Sequence, residues 1–307
     1  MTRSSRFAGV VRGAVARRGA ALMGICNVTP DSFSDGGRFF DGDAARARVD
    51  ELIAAGADII DVGGESTRPG SKAVPAREQL ARVLPVIQHA AERGACVSID
   101  TTSAEVAAAC LDVGAHAVND VSLLSDPDLA RVVAGSGGCL VLSHARAPQE
   151  QMSGFGEWPL GAYDDVVVDV VAEWERAAAR AIELGVPRSS LVMDPGLGFS
   201  KASRHSFELL RRAGQLVAAV AANGEVPVLF GASRKSFLTL VDPQRPHAST
   251  HEPGASKTAP ADREGASIAA ALHAVRAGVH ILRVHDVRAT RQAIDMEIVL
   301  GTPRRKI

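Results

Sequence analysis

Polarity along this chain changes on a long beat. A helix-like run, a Gly, four to six apolar residues and then a polar residue recur as AAGADIIDVGG (54–64), ERGACVSIDT (92–101), DVGAHAVNDV (112–121), SGGCLVLSH (136–144), ELGVPRSSLVMDPG (183–196), NGEVPVLFGAS (223–233) and RAGVHILRVHD (276–286). AALMGIC (20–26) adds an eighth apolar run. Such runs lack alternation, which predicts strands covered on both faces. A Gly just past a helix takes the left-handed conformation that ends it. Between the strands, helices are predicted over roughly 43–55, 75–93, 103–113, 126–135, 161–184, 203–222, 264–277 and 287–300, several opened by a capping residue (Asp43, Ser103, Ser203) or an early Pro (Pro75, Pro127).

Eight βα repeats in about 280 residues predict an α/β fold of one domain, a (β/α)8 TIM barrel over residues 20–300. A doubly wound open sheet fits less well, because no G-x-G-x-x-G follows the first strand. Residues 1–19 form a basic lead-in, read as a short hairpin, and 301–307 a tail. The stretch 242–262, DPQRPHASTHEPGASKTAPAD, is rich in Pro, Ser and His and reads as a mobile insertion. Its His247 and His251 have helical spacing, but the Pro-rich context argues against a helix and a metal site.

Composition narrows the classes. The chain of 307 residues is 46% hydrophobic but 4% aromatic, so its core must rest on Ala, Val, Leu and Ile. Lys+Arg (34) nearly cancel Asp+Glu (35), which gives no global field favouring nucleic acid or an anionic membrane. Cys26, Cys96, Cys110 and Cys139 are widely separated, and three lie in apolar runs. That spacing suits neither a metal site nor a disulfide framework and predicts buried thiols in a reducing compartment. No apolar run approaches the roughly 20 residues of a membrane span. Residues 1–30 hold five Arg and no acid, as a transit peptide would, yet no cleavage-like break precedes the first strand. The expectation is a soluble, cytoplasmic protein.

Sites of this fold lie at the C-terminal ends of its strands. Those ends carry, in order, Asn27, Asp61 with Glu65, Asp100, Asn119 with Asp120, His144, Asp194, Ser233 with Lys235, and Arg283 with His285. Any one of these is more often a satisfied structural residue. Asp100, Asn119 and Asp194 at three different ends suit the edge of a flat heterocycle rich in N–H and C=O, since buried carboxylates need donors. GASRKSF (231–237) and RVHD (283–286) follow strands 7 and 8, where barrels often bind phosphate. Ser233 is expected to cap a helix starting at Arg234, turning its free N–H groups towards an anion. Lys235, Arg283 and His285 add charge, and Arg283 and His285, two apart on a strand, face the same side. After the first strand, NVTPDSFSDGG (27–37) is long and polar for a plain connection.

NVTPDSFSDGG, GGESTRPG (63–70), SIDT (98–101), NDV (119–121), DPGLGF (194–199), GASRKSF and RVHDV (283–287) together resemble the dihydropteroate synthase family of bacterial folate synthesis. The match runs from residue 20 to about 300 in the family's order. It implies a transferase that joins 6-hydroxymethyl-7,8-dihydropterin diphosphate to p-aminobenzoate, with Mg2+, releasing pyrophosphate by an SN1-like path. By the same resemblance Asp100, Asn119, Asp194 and Lys235 would hold the pterin. Asn27, Arg283 and His285 would face the diphosphate, Asn27 also touching Mg2+, and Ser236 would meet the aminobenzoate carboxylate. Thr67 and Arg68 would belong to a second mobile loop with Pro69 at its tip. The two loops read as lids with Gly36, Gly37, Gly63 and Gly64 as hinges, Phe33 and Pro69 as apolar walls, and Asp35 and Arg68 as an ion pair across them. Dimers through barrel-end helices are common in the family. Where the family often has Met-His after strand 5, this chain has Ser143-His144, which removes an apolar contact to the pterin face.

Other readings remain on the sequence alone. A pterin-binding paralogue without synthesis would keep the ring contacts, and the Ser143 departure suits it. A methyltetrahydrofolate-handling methyltransferase domain shares the barrel but needs no diphosphate site, against which Lys235, Arg283 and His285 count. A phosphosugar isomerase would need a pair of acid–base residues not found here.

Overall fold

The computed structural model describes residues 2–29, 42–66, 74–148, 151, 158–240 and 260–301. Eight parallel strands are present: β1 (Ala21–Asn27), β2 (Ile59–Gly63), β3 (Cys96–Asp100), β4 (Ala117–Asp120), β5 (Cys139–Ser143), β6 (Leu191–Asp194), β7 (Leu229–Phe230) and β8 (Ile281–Val284). Their order is β6-β5-β4-β3-β2-β1-β8-β7. A parallel bridge between Met193 and Val228, with Met193 N–H donating to Pro227 O at 2.9 Å, joins β6 to the start of β7 and closes the barrel.

Around it stand α1 (Arg3–Arg18), α2 (Gly42–Ala54), α3 (Ala76–Glu92), α4 (Ala104–Asp112), α5 (Pro127–Ser136), α6 (Val166–Glu183), α7 (Ser203–Arg211), α8 (Ala213–Ala222), α9 (Glu264–Arg276) and α10 (Val287–Gly301). The expected helices are found, with two adjustments. The predicted 161–184 helix begins only at Val166, where the Asp165 carboxylate accepts from Val167 and Val168 N–H. The predicted 203–222 helix breaks at Arg212, whose guanidinium reaches back 3.0 Å to Asp165.

The lead-in is a helix, which corrects the expected hairpin. Thr2 caps its start by accepting from Ser5 N–H, and Gly19 (φ 83°) ends it. Phe7, Val11 and Ala14 recur at helical spacing and are buried, packed on Ala21, Met23, Ile59, Cys96, Ala117, Cys139, Val141, Val192, Leu229 and Ile281. That is the bottom of the barrel, and α1 is its plug. The basic residues have partners there. Arg3 donates to Ser136 O (2.7 Å) and Leu111 O, Arg6 to Gly94 O, and Arg18 to both Asp58 oxygens at 2.6 Å. The first three acceptors lie at the C-terminal ends of α5, α4 and α3, where cations are favoured.

The period-2 alternation of strands sorts the core into two layers. Outward residues such as Leu22, Ile60, Val97, Val118, Leu140, Met193 and Leu282 pack under the helices. Gly24 admits Leu52 and Val287 there, since an added Cβ would lie 2.9 Å from Leu52 Cδ2. Inward columns start apolar at the plug and change character upwards: Met23-Ile25-Asn27, Ile59-Asp61-Gly63, Cys96-Ser98-Asp100, Ala117-Asn119, Val141-Ser143, Val192-Asp194 and Ile281-Arg283. One register row at the top joins Asn27, Gly63, Asp100 and Asn119. All four cysteines are free and buried. Burial pushes each thiol up to about 12, so they stay protonated and inert. No described helix is long and apolar enough to cross a membrane.

Candidate active site

A cavity of about 1320 Å³ opens where the inward columns end, at the C-terminal mouth. Asn27, Asn119, Asp194, Ser233, Lys235, Ser236, Arg283 and His285 all line it, so most of the residues singled out in the sequence converge on one space.

The floor is a charge cluster. Arg283 Nε donates to Asp61 Oδ2 at 2.6 Å and its Nη2 to Asp100 Oδ2 at 2.7 Å. Asn119 Nδ2 donates to the same Asp61 oxygen at 3.2 Å. The second oxygens of Asp61 and Asp100, and Asn119 Oδ1, are buried without a protein partner. Buried acceptors without donors are costly, and their concentration at the floor marks a place shaped for a ligand carrying N–H groups. Burial pushes Asp100 up to about 7, against the pull of Arg283 and with the repulsion of Asp61, Asp120 and Asp194. Asp194 is likewise raised by burial, with Lys235, the Gly196 N–H, Ser143 and Arg283 holding it back. Arg283 stays cationic, because Asp61 and Asp100 outweigh its burial.

Beside the floor, Lys235 donates to Leu197 O and sits 4.5 Å from the Phe199 ring centre. Burial, together with Arg283, lowers its ammonium to about 8 despite Asp194 and Asp100. Ser233 and His285 lock each other: His285 N–H donates to Ser233 Oγ at 3.2 Å, and the same hydroxyl is hydrogen-bonded to His285 Nδ1 at 3.0 Å. Burial and the cations Arg234, Arg283, Arg48 and Lys235 hold the ring down to about 3. His285 is therefore held neutral in this structure, where the sequence reading counted it as a charge.

A second correction concerns Ser233. No helix begins at Arg234, which has a left-handed backbone (φ 59°), and only a short 3-10 turn, Ser236–Leu240, follows among the described residues. Ser233 serves His285 instead of capping. Asp120 is structural, its carboxylate accepting from Ser122 and Leu124 N–H. His144 is also structural, buried between Glu173 (2.9 Å from Nε2) and Lys201 (2.8 Å from Nδ1).

Sequence reasoning passed over Asp61 as a site residue, although its polar strand end was visible. Arg48, which donates to His285 O at 2.7 Å from α2, carried no motif. Phe199 was quoted only inside DPGLGF. Phe33, Asp35, Thr67, Arg68, Pro69 and nearly all of 242–262 lie outside the described residues. Among the described residues no group of three His, Cys, Asp or Glu could hold a metal ion.

The chain has counterparts among known proteins. The family described as pterin binding enzyme matches residues 23–285. The chain is 43% identical over 274 residues to dihydropteroate synthase of Mycobacterium leprae, covering 89% of this chain and 90% of that protein. It is 40% identical over 288 residues to a probable bifunctional folylpolyglutamate synthase/dihydropteroate synthase of Haloferax volcanii, of which it spans 31%. Among solved structures, Xanthomonas albilineans dihydropteroate synthase with 4-aminobenzoic acid superposes with a TM-score of 0.77 at 37% identity, covering 92% of this chain and 94% of that one.

Proposed function

The chain belongs to the pterin-binding enzyme family, among its dihydropteroate synthases, and from that premise we propose how its residues join 6-hydroxymethyl-7,8-dihydropterin diphosphate to p-aminobenzoate. The carrying observation is the set of buried, unpartnered acceptors on Asp61, Asp100 and Asn119, clustered around Arg283. An aminopyrimidinone edge supplies the N–H donors those oxygens need, and Asp194 with Lys235 completes the ring contacts.

Breaking the CH2–O bond leaves positive charge on the pterin methylene and negative charge on pyrophosphate. Arg283 has spent two of its five N–H donors on carboxylates and keeps three for the leaving group. His285 adds a ring hydrogen bond through Nε2, since Nδ1 is taken by Ser233. Fixed donors of this kind stabilise developing charge without reorganising, which is the largest catalytic effect available here. The amine of p-aminobenzoate then attacks the methylene, its carboxylate meeting Ser236, and loses a proton. Water would compete for the cation, so the loops bearing Phe33, Asp35, Thr67, Arg68 and Pro69 are assigned the task of excluding it.

Mg2+ fits this mouth. It keeps waters and substrate phosphates as ligands and needs few protein oxygens, and the Asn27 amide oxygen at the end of β1 is a hard donor of that kind. Bound there, it would neutralise pyrophosphate. A homodimer is part of the proposal, supported by exposed apolar side chains on the outer helices, among them Val168 and Ile182 on α6, Phe207 on α7, and Met296 and Val299 on α10. Free buried thiols support a reducing, cytoplasmic setting.

The test is pyrophosphate release from the pterin diphosphate with p-aminobenzoate and Mg2+ supplied or withheld. Release that requires p-aminobenzoate is expected. Pterin binding without release would favour the non-synthetic paralogue.

A further inference from the structure

Arg234 occupies a conformation that side chains other than glycine rarely adopt. Lys235 N–H donates to Ala232 O at 3.2 Å, closing a turn in which Arg234 is the residue with positive φ (59°). Turns of this kind usually place Gly or Asn at such a position. An arginine here persists only if its surroundings hold it.

The start of α9 does so. Arg234 N–H donates to Ser267 Oγ at 2.9 Å, and Arg234 O accepts from Arg263 Nη1 at 2.8 Å. The Ser267 hydroxyl in turn donates to Arg263 O at 2.7 Å, linking the two holders. The Arg234 side chain is drawn to Glu264, 3.2 Å away, but that pair is partly exposed and contributes little. Ser267 is buried, so its hydroxyl has no water to substitute for the amide. On either side of the held residue, Ser233 fixes His285 and Lys235 reaches Leu197 O across the mouth.

We propose that Ser267 and Arg263 are positioning residues of the synthase: by holding both backbone groups of Arg234 they fix the Ser233–Arg234–Lys235 turn, so that Ser233 holds His285 towards the diphosphate and Lys235 keeps its place beside the ring. This rests on the reading under Proposed function. Neither residue touches substrate in this proposal, and both act through the turn.

The experiment compares wild type, Ser267→Ala and Ser267→Thr for pyrophosphate affinity by calorimetry, for KM and kcat, and for melting temperature. Ser267→Ala is expected to weaken pyrophosphate and raise KM for the pterin diphosphate about 5- to 50-fold, as leaving one buried N–H unpaired would. Ser267→Thr, which keeps the hydroxyl, should restore both to within about 2-fold of wild type. In an Arg234→Gly background the same Ser267→Ala change should cost less, because glycine adopts the turn unaided. If Ser267→Ala does not fold, Arg263→Gln supplies the reading with the same expected weakening. Unchanged pyrophosphate affinity in a folded variant, or equal loss in the Ala and Thr variants, overturns the proposal. A wild type that releases no pyrophosphate instead overturns the synthase reading.

Discussion

Lys235 sets the upper pH limit of the chemistry proposed here. Burial lowers its ammonium to about 8, so the cation proposed to face the pterin is lost as pH rises through that value. The expected outcome is a kcat/KM for pterin diphosphate that falls above about pH 8, measured as a pH–rate profile. Lys235→Arg removes a proton that can be lost in this range and should abolish the basic limb, though with reduced activity from altered geometry. A limb near 8 that survives the substitution assigns the titration elsewhere. Lys235→Met should cost roughly 100- to 1,000-fold in kcat/KM, the usual effect of deleting one preorganised donor. His285, held down to about 3, contributes no limb of its own near neutrality.

At the scale of elements, the plug and the β6 loop make separable predictions. Phe7 is 1% exposed at the barrel's bottom, on the side opposite the mouth. Phe7→Ala should destabilise the fold by about 3–5 kcal/mol in denaturant unfolding while leaving KM for both substrates unchanged. A change in KM would mean that the plug is coupled to the mouth. Gly196 makes the opposite case. It has φ 64°, and a Cβ there would lie 2.0 Å from His144 O. Gly196→Ala should cost more than about 1 kcal/mol and also raise KM for pterin diphosphate, because Gly196 N–H holds Asp194 at 2.8 Å. These elements also show what could be read beforehand. Eight strands and their polar ends were legible because each apolar run is buried on both sides and stops at the mouth. The α1 plug was not, because five scattered Arg obscured the Phe7, Val11, Ala14 stripe, and nothing local reveals that helix-end carbonyls await Arg3 and Arg6. The bend at Arg234 was invisible for a similar reason: a positive φ at Arg is imposed by Ser267 and Arg263, over 25 residues away. The inward columns, by contrast, could have been written from alternation alone, and would have exposed Asp61.

For the whole molecule, the barrel brings three carboxylates, Asp61, Asp100 and Asp194, to one buried floor with two cations, Arg283 and Lys235. Low-dielectric surroundings resist the excess negative charge, and the structure meets it by raising Asp100 to about 7. A pterin edge that donates N–H to Asp100 prefers the ionised carboxylate, so binding must lower that value and expel a proton wherever Asp100 begins protonated. The sign follows from linkage: affinity for the ring rises as pH rises through about 7, until loss of the Lys235 proton near 8 lowers it again. The probe is 6-hydroxymethylpterin, which has no phosphate to titrate. Calorimetry at pH 6 in buffers of different ionisation enthalpy should show release of a substantial fraction of one proton per ring bound, falling as pH is raised to 7.5. Asp100→Asn should bind the ring weakly and release none. Proton-neutral binding at pH 6 by the wild type would mean that Asp100 accepts no N–H from the ring, and the floor would then have to recognise a different edge.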